Sequence, residues 1–256
     1  MLRAEGISFR AGPTELVSPV TIGFDTGLFH VVMGANGAGK STLLRMLAGD
    51  LRPTAGTVWL DDRKLEDYSR RDLAKRRAVL SQQYHIAFPL AVSDLVSMGR
   101  YPYAGTAPAT EESLVCGQAL EAMQMQAFAD RDYNTLSGGE AQKVQMCRVL
   151  AQIDPRAPQG KVLFLDEPVS HLDIRYQHQL LRTAKALCRN GATVIAVLHD
   201  MNLAIAFADR LLFMKEGKLA HRLDDVRELT PAIIADVFDM DARILHPEGH
   251  PPVVIF

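Results

Sequence analysis

The chain has 256 residues, of which 48% are hydrophobic, 23% charged and 7% aromatic, and its 28 basic and 30 acidic residues give a formal net charge of −2. These values are typical of a globular protein that buries its own core, and they exclude a disordered, collagen-like or disulfide-stapled chain. The three cysteines, Cys116, Cys147 and Cys188, lack metal-ligand spacing. We therefore expect free thiols in a reducing compartment.

Charge and apolar runs limit the direct partners of this chain. The N-terminus lacks the basic start, apolar core and small-residue cleavage site of an export signal, so we expect a cytoplasmic protein. The longest apolar run, residues 192–198, falls short of the ~20 residues that a membrane-spanning helix needs. A balanced charge disfavours nucleic acid as a partner. A membrane role would therefore act through other subunits.

The first part of the chain predicts short antiparallel strands within residues 2–24, with Gly6, Gly12, Pro13 and Pro19 as breaks. Beyond it, short apolar runs alternate with helical patterns, which indicates an α/β fold with a mainly parallel sheet.

A strand, a glycine-rich turn and a helix follow one another from residue 29. The apolar run 29–33 (FHVVM) leads into GANGAGKS at 34–41, a full match to the P-loop (Walker A) pattern, and a helical run follows at 42–48. In such a loop backbone N–H groups converge on a phosphate chain, Lys40 bridges the outer phosphates and the Ser41 hydroxyl is offered to Mg²⁺. The candidate ATP-binding residues are Gly34, Asn36, Gly37, Ala38, Gly39, Lys40, Ser41 and Thr42.

Residues 84–153 have a different character from what surrounds them. Glycine and proline interrupt the chain between 99 and 108, and helical patterns run over 111–128 and 141–151. This predicts a helical subdomain inserted into a core made of residues 1–83 and 154–256. The second part of the core begins with DPRAPQG, residues 154–160, a proline-containing surface connection.

The segment LSGGE, residues 136–140, precedes the helical run 141–151 and is called here the signature segment. Ser137, Gly138 and Gly139 before a helix form an anion-binding N-terminus, which would serve a second nucleotide. Ser137 and Glu140 alone fit a capping box equally well.

Two further apolar strands end in polar side chains. The run 162–165 (VLFL) leads directly into Asp166 and Glu167, and the run 193–198 leads into His199. Adjacent buried carboxylates are costly unless a cation compensates them, so we predict that Asp166 faces Mg²⁺ and that Glu167 polarises the water that attacks the γ-phosphate. A last helix is predicted at 231–238 with Thr230 as its cap, and the tail 246–256 shows no clear chemistry.

Taken together, these motifs resemble the nucleotide-binding subunits of ABC transporters. They occur in the family's order: GANGAGKS, Gln82 in LSQQ, LSGGE, FLDEP, SHLD around Asp173, and His199 in VLHD. The resemblance covers essentially the whole chain. It implies the ABC ATPase form of the P-loop NTPase fold, with an N-terminal antiparallel β subdomain and an inserted α-helical subdomain.

The resemblance also implies residue roles, cofactors and partners. ATP and Mg²⁺ would be the cofactors, with Gln82 contacting Mg²⁺ or water and His199 contacting the γ-phosphate. Two copies would form a head-to-tail homodimer, with each ATP between one copy's P-loop and residues Ser137–Glu140 of the other, and with Asp173 at the interface. The dimer would dock on a polytopic permease, peripherally at the cytoplasmic face of the inner membrane. A periplasmic or surface substrate-binding protein would take part indirectly.

The substrate class is suggested by smaller stretches. FPLAVSDLVSMGRYPY, residues 88–103, resembles importers of iron-containing chelates, and together with the proline-containing spacer and the tail HPEGHPP it most resembles heme importers. Ferric siderophores and cobalamin remain alternatives. Tyr84, His85, Tyr101 and Tyr103 are interpreted as surface or subunit-contact residues rather than heme ligands.

One departure from the family concerns the adenine contact, and two other classes of protein also use a P-loop. The position usually taken by an aromatic ring aligns with Ala11, which leaves Arg10 or Phe9 as the candidate contact. A soluble ABC-type ATPase outside transport would carry a long coiled coil or a second cassette, and neither is present. A P-loop kinase of small molecules would lack LSGGE.

Overall fold

The computed structural model describes residues 1–81, 86–106, 108–170 and 172–256. None of the described helices is long and apolar enough to cross a bilayer. The strands are β1 (Leu2–Ala11), β2 (Thr14–Phe24), β3 (Phe29–Met33), β4 (Ala55–Leu60), β5 (Arg63–Lys64), β6 (Arg77–Leu80), β7 (Val162–Asp166), β8 (Thr193–Val197), β9 (Arg210–Lys215), β10 (Lys218–Leu223), β11 (Arg243–Leu245) and β12 (Val253–Ile255). The α-helices are α1 (Lys40–Ala48), α2 (Arg70–Arg76), α3 (Val92–Ser97), α4 (Ala109–Ala122), α5 (Gly138–Ile153), α6 (Ile174–Arg189), α7 (Met201–Phe207) and α8 (Pro231–Phe238).

An antiparallel sheet of order β2-β1-β4-β5 forms the N-terminal part. The predicted antiparallel pairing is confirmed, but the prediction of short strands is wrong. Gly6 and Pro19 lie inside long strands, because shifts in the β1–β2 register between Ala4 and Phe9 absorb the irregularity. The reversal falls at Gly12 and Pro13, as expected.

The central sheet has the order β10-β9-β3-β8-β7-β6, parallel throughout except for β10. Every residue of β3, β7 and β8 is buried, which explains why these strands read as unbroken apolar runs rather than as alternating patterns. All three predicted strands are confirmed, and β7 extends one residue further, to Asp166. Their carboxyl ends lie side by side at one edge of the sheet.

The helical part of the chain contains α3, α4 and α5. The helix predicted over 111–128 is too long at its C-terminal end, since α4 stops at Ala122. Gln124 has a left-handed φ of 57°, and the Met125 amide donates to the Leu120 carbonyl, which is the hydrogen bond of a Schellman motif. The helix therefore ends without the glycine that usually signals such a stop.

Two expectations concern the last helix of the chain and the connection that begins the second part of the core. The predicted helix is confirmed as α8, with Pro231 in its first turn and the Thr230 hydroxyl accepting from the Ile233 amide. The surface connection expected at 154–160 is wrong for Asp154, which is only 7% exposed, and for Pro158, which is also buried. Arg100 and Arg156 pair with the Asp154 carboxylate and make its burial tolerable.

Candidate nucleotide site

The P-loop connects β3 to α1, and its last glycine determines where the helix begins. Gly39 is the N-cap of α1 with φ 94°, and a Cβ at this position would stand 2.6 Å from the Leu16 carbonyl oxygen. No side chain caps the helix. The first amides of α1 therefore remain available to an anion, which is the arrangement that binds a phosphate.

Lys40, the first residue of α1, is buried against the loop that precedes it. Its ammonium donates to the carbonyl oxygens of Gly34 and Ala35, at 2.9 Å each. Burial lowers the pKa of Lys40, while the negative charges of Glu167 and Asp166 act in the opposite direction. The loop thus holds one cation in the space where its sequence predicts the outer phosphates.

Ser41 and Asp166 meet at the end of β7. The Ser41 hydroxyl donates to Asp166 Oδ1 at 2.8 Å, and Asp166 is 7% exposed. Burial raises the pKa of Asp166, and the hydrogen bond from Ser41 partly offsets this. Among the described residues no three His, Cys, Asp or Glu side chains form a metal cluster. A hydroxyl and one carboxylate fit Mg²⁺, which takes few protein oxygens and completes its shell with phosphate and water.

Glu167 and His199 come together because β7 and β8 are neighbouring parallel strands. His199 Nε2 lies 2.6 Å from Glu167 Oε1, and the Glu167 amide donates to the Val197 carbonyl at 3.2 Å. Glu167 has a left-handed φ of 50°, which is uncommon for a residue with a side chain. A cavity of about 150 Å³ beside the pair is lined also by Ser170 and Gln177. The pair can share a proton next to a space that holds water-sized molecules.

Gln177 is a residue that the sequence did not single out. Its side-chain amide donates to the Val169 and Leu172 carbonyls, at 3.4 and 3.0 Å, and so fixes the turn between β7 and α6. The role of Gln177 depends on where this turn lies in the folded chain, so no local sequence signal could have identified it.

The signature segment begins α5. The Ser137 hydroxyl and amide both donate to Glu140 Oε2, at 2.6 and 2.8 Å, and the Glu140 amide donates back to the hydroxyl, which completes a capping box. These hydrogen bonds lower the pKa of Glu140. Ser137 and Gly138 are exposed. The capping interpretation is therefore confirmed, while an additional contact with a nucleotide stays a prediction.

The remaining predicted residues are distributed as follows. Asp173 caps α6 by accepting from the Tyr176 amide at 3.0 Å, and the next residue, Ile174, is 75% exposed. Gln82 lies outside the described residues. No structure is therefore given for its predicted contact with Mg²⁺ or water.

The tyrosines and the adenine candidates also differ in their surroundings. Tyr101 is exposed, whereas Tyr103 is partly buried and donates to the Gln152 carbonyl; Tyr84 and His85 lie outside the described residues. Phe9 packs against the buried residues of the antiparallel sheet, while Arg10 is exposed and donates to the Pro13 carbonyl in the turn beside Ala11. Arg10 is thus the freer of the two candidate adenine contacts.

Comparison with known proteins places this geometry in a family. The family model described as "ABC transporter" matches residues 17–170. The chain belongs to the ABC transporter family and is an ATP-binding cassette, an ATPase with the P-loop NTPase fold.

The chain is similar to two curated relatives and to one solved structure. The chain is 43% identical to the hemin import ATP-binding protein HmuV of Rhodopseudomonas palustris strain HaA2, over 99% of this chain and 96% of that protein. It is 46% identical to the protein of the same name from strain ATCC BAA-98 / CGA009, over 93% of this chain and 88% of that protein. A dimeric bacterial ABC transporter cassette superimposes with a TM-score of 0.76 at 26% identity, covering 87% of this chain and 98% of that one.

Proposed function

We propose that the chain hydrolyses ATP to drive the import of heme through a partner permease. The observation that carries this proposal is the similarity to hemin import ATP-binding proteins over nearly the full length of both chains. The P-loop chemistry alone would support any ABC importer, so the substrate rests on these relatives and on the resemblance of residues 88–103.

ATP binding follows from the loop and the first turn of α1. Amides of the residues between Gly34 and Thr42 surround the phosphates, and Lys40 turns from its loop carbonyls to the outer phosphates. Ser41 and Asp166 would hold Mg²⁺, with Gln82 as a further predicted ligand. Bound there, Mg²⁺ would neutralise charge that develops on the phosphate oxygens.

Hydrolysis follows from the pair at the ends of β7 and β8. Glu167 accepts a proton from the attacking water at its carboxylate. Before ATP binds, His199 holds that carboxylate in place through Nε2, and with ATP bound the same nitrogen contacts the γ-phosphate. The cavity of about 150 Å³ beside the pair leaves room for water next to the Glu167 carboxylate.

A complete site requires two copies. Residues Ser137 to Glu140 of one copy would contact the ATP held by the P-loop of the other, with Asp173 at the interface. The dimeric state of the similar cassette supports this arrangement. ATP then acts as a ligand shared by the interface and favours the closed pair.

The assembly would lie peripherally at the cytoplasmic face of the inner membrane, below its permease and, indirectly, a substrate-binding protein. Residues 84–153 form the helical subdomain in this proposal, and residues 1–83 and 154–256 form the core with its β subdomain.

The proposal is tested by the chain co-purified with its permease and reconstituted with the matching binding protein. We expect ATP hydrolysis to rise when heme is supplied and to stay at its basal rate with a ferric siderophore or cobalamin. The Glu167→Gln variant in the same complex is the control for contaminating ATPases. If only a siderophore or cobalamin stimulated hydrolysis, that compound rather than heme would be the substrate. If no permease stimulated hydrolysis, the proposed transport function would be wrong.

A further inference from the structure

The C-terminal end of the signature helix α5 is capped by side chains from two other parts of the chain. Arg100 Nη1 donates to the Ala151 carbonyl at 2.8 Å, the Tyr103 hydroxyl to the Gln152 carbonyl at 3.0 Å, and the Lys161 ammonium to the Ile153 carbonyl at 2.7 Å. A helix leaves its last carbonyls without partners, and cations are favoured at this end of its dipole. Three consecutive carbonyls of α5 are therefore held by long-range donors.

The first of these donors is fixed by an ionic cluster. Arg100 is 5% exposed, and its Nε and Nη2 donate to the two oxygens of Glu112 at 2.5 and 3.2 Å. Asp154 Oδ2 lies 3.4 Å from Arg100 Nη1, and the guanidinium lies over the Tyr103 ring at 3.9 Å. The arginine side chain thus has one position available to it.

The buried carboxylate of Asp154 links this arginine to a second one. Burial alone would raise the pKa of Asp154, but hydrogen bonds and charge from Arg156, together with the charge of Arg100, lower it. Arg156 also reaches Glu111 on α4 at 2.9 Å. Residues Arg100, Glu111, Glu112, Asp154 and Arg156 are called here the Arg100 cluster.

Two further contacts anchor the C-terminal end of α5. The Gln152 side chain donates to the Ala74 and Arg77 carbonyls of the core, at 2.9 and 3.0 Å. Gly99, next to Arg100, allows direct backbone contact, because a Cβ there would stand 2.2 Å from the Arg148 carbonyl oxygen. The helix is therefore joined both to the core and to the segment Met98–Tyr103 at the same place.

The other end of the helix carries Ser137 and the exposed signature segment. With 16 residues, α5 is about 24 Å long, so a tilt of about 5° at the anchored end would move Ser137 by about 2 Å. A displacement of that size breaks a hydrogen bond, whose usable range is a few tenths of an ångström. The alignment of the C-terminal end, together with the packing of α5 along its length, therefore affects contacts made at the distant end.

We propose that Arg100 is a positioning residue for ATP hydrolysis: through the Arg100 cluster it sets the direction of α5, and so the place at which Ser137 is presented to the nucleotide of a second copy. The inference rests on the proposed two-copy site. It gives a role to two stretches that the nucleotide chemistry leaves unused, residues 98–103 and the connection 154–160.

The test uses the full chain in the Glu167→Gln background, in which we expect ATP-bound dimers to accumulate. The variant Arg100→Met/Glu112→Gln removes one buried charge pair without leaving a lone charge, since Asp154 keeps Arg156. The matched control is Arg52→Met/Glu66→Gln, which removes an exposed pair with side chains 88% and 56% exposed. ATP affinity of the single subunit is measured by titration at low protein concentration, and dimerisation by sedimentation with and without ATP.

We expect ATP affinity to stay unchanged and the protein concentration for half-maximal dimerisation to rise about tenfold or more, the effect of misaligning one charge-assisted hydrogen bond. The control should shift neither value. Tyr103→Phe, which removes one hydroxyl, should give a smaller shift in the same direction. If the double variant does not fold, the dimerisation of Tyr103→Phe tests the proposal instead.

Three results would overturn the proposal. Unchanged dimerisation of a folded double variant, or of Tyr103→Phe if the double variant does not fold, removes the positioning role alone. Equal losses in ATP affinity and dimerisation would indicate that the substitutions destabilise the whole subunit rather than misalign α5. A Glu167→Gln parent that does not dimerise with ATP would remove the two-copy site first, and this inference with it.

Discussion

Replacing Glu167 by glutamine isolates its function as a proton acceptor. Glutamine has the same shape, and its side-chain oxygen can still meet His199 Nε2, which lies 2.6 Å from Glu167 Oε1 in the wild-type chain. The left-handed φ of 50° is equally unfavourable for both residues, so the backbone strain is unchanged. The substitution should therefore alter the chemistry more than the fold.

The expected magnitude follows from the loss of general-base catalysis. A positioned base contributes about 10²- to 10⁴-fold, so the barrier should rise by roughly 3–5 kcal/mol. ATP binding should be retained, because the loop amides, Lys40 and Ser41 are untouched. ATP should then remain bound and hold two copies together.

Single-turnover hydrolysis and sedimentation with ATP measure the two effects separately. Glu216→Gln is the matched control, since Glu216 also has a left-handed φ, of 48°, but lies exposed in the β9–β10 turn. Wild-type turnover by Glu167→Gln would refute its assigned role. A similar loss in the Glu216 control would show that charge removal at a strained turn, rather than catalysis, causes the effect.

Three further outcomes are expected. Lys40→Ala should weaken ATP binding about ten- to hundredfold, since a hydrogen-bonding cation is lost, and a binding titration would contradict this by showing wild-type affinity. Gly39→Ala should lower the free energy of unfolding by at least about 1–2 kcal/mol, because its φ is 94° and its Cβ would stand 2.6 Å from the Leu16 carbonyl; an unchanged denaturation midpoint would be inconsistent with this geometry. Burial lowers the pKa of Lys161 to about 8, so between that pH and its usual 10.5 the unfolded chain binds more protons and stability should rise with pH. Chemical denaturation across this range should show the rise in the wild-type chain and a flatter profile in Lys161→Met.

The parts of the site that could be predicted from sequence are those in which neighbouring residues form the feature. The P-loop, the strand that runs into Asp166 and Glu167, and the capping box of Ser137 and Glu140 each lie within a few residues of one another. The sequence also predicts that Glu167 and His199 follow buried strands, whereas the strand order and the contact between the two side chains come from the folded sheet.

The parts that could not be predicted depend on residues distant in the chain. The prolines around Asp154 predict a surface connection, yet Arg100, 54 positions earlier, makes its burial possible. The helical pattern over 111–128 does not reveal where α4 ends, because Gln124, rather than glycine, adopts the left-handed conformation. Neither feature has a local signal, since each depends on contacts that exist only in the folded chain.

The most direct test of the proposed function is ATP-dependent release of heme from inside-out vesicles that contain the permease, with this chain and ATP on the outside and the heme-loaded binding protein in the lumen. In this orientation import moves heme from the lumen to the bath, and the heme that appears outside is measured by absorbance. We expect release that requires ATP and fails with Glu167→Gln. Hydrolysis without any movement of heme, in a complex that moves another iron chelate, would contradict heme as the substrate.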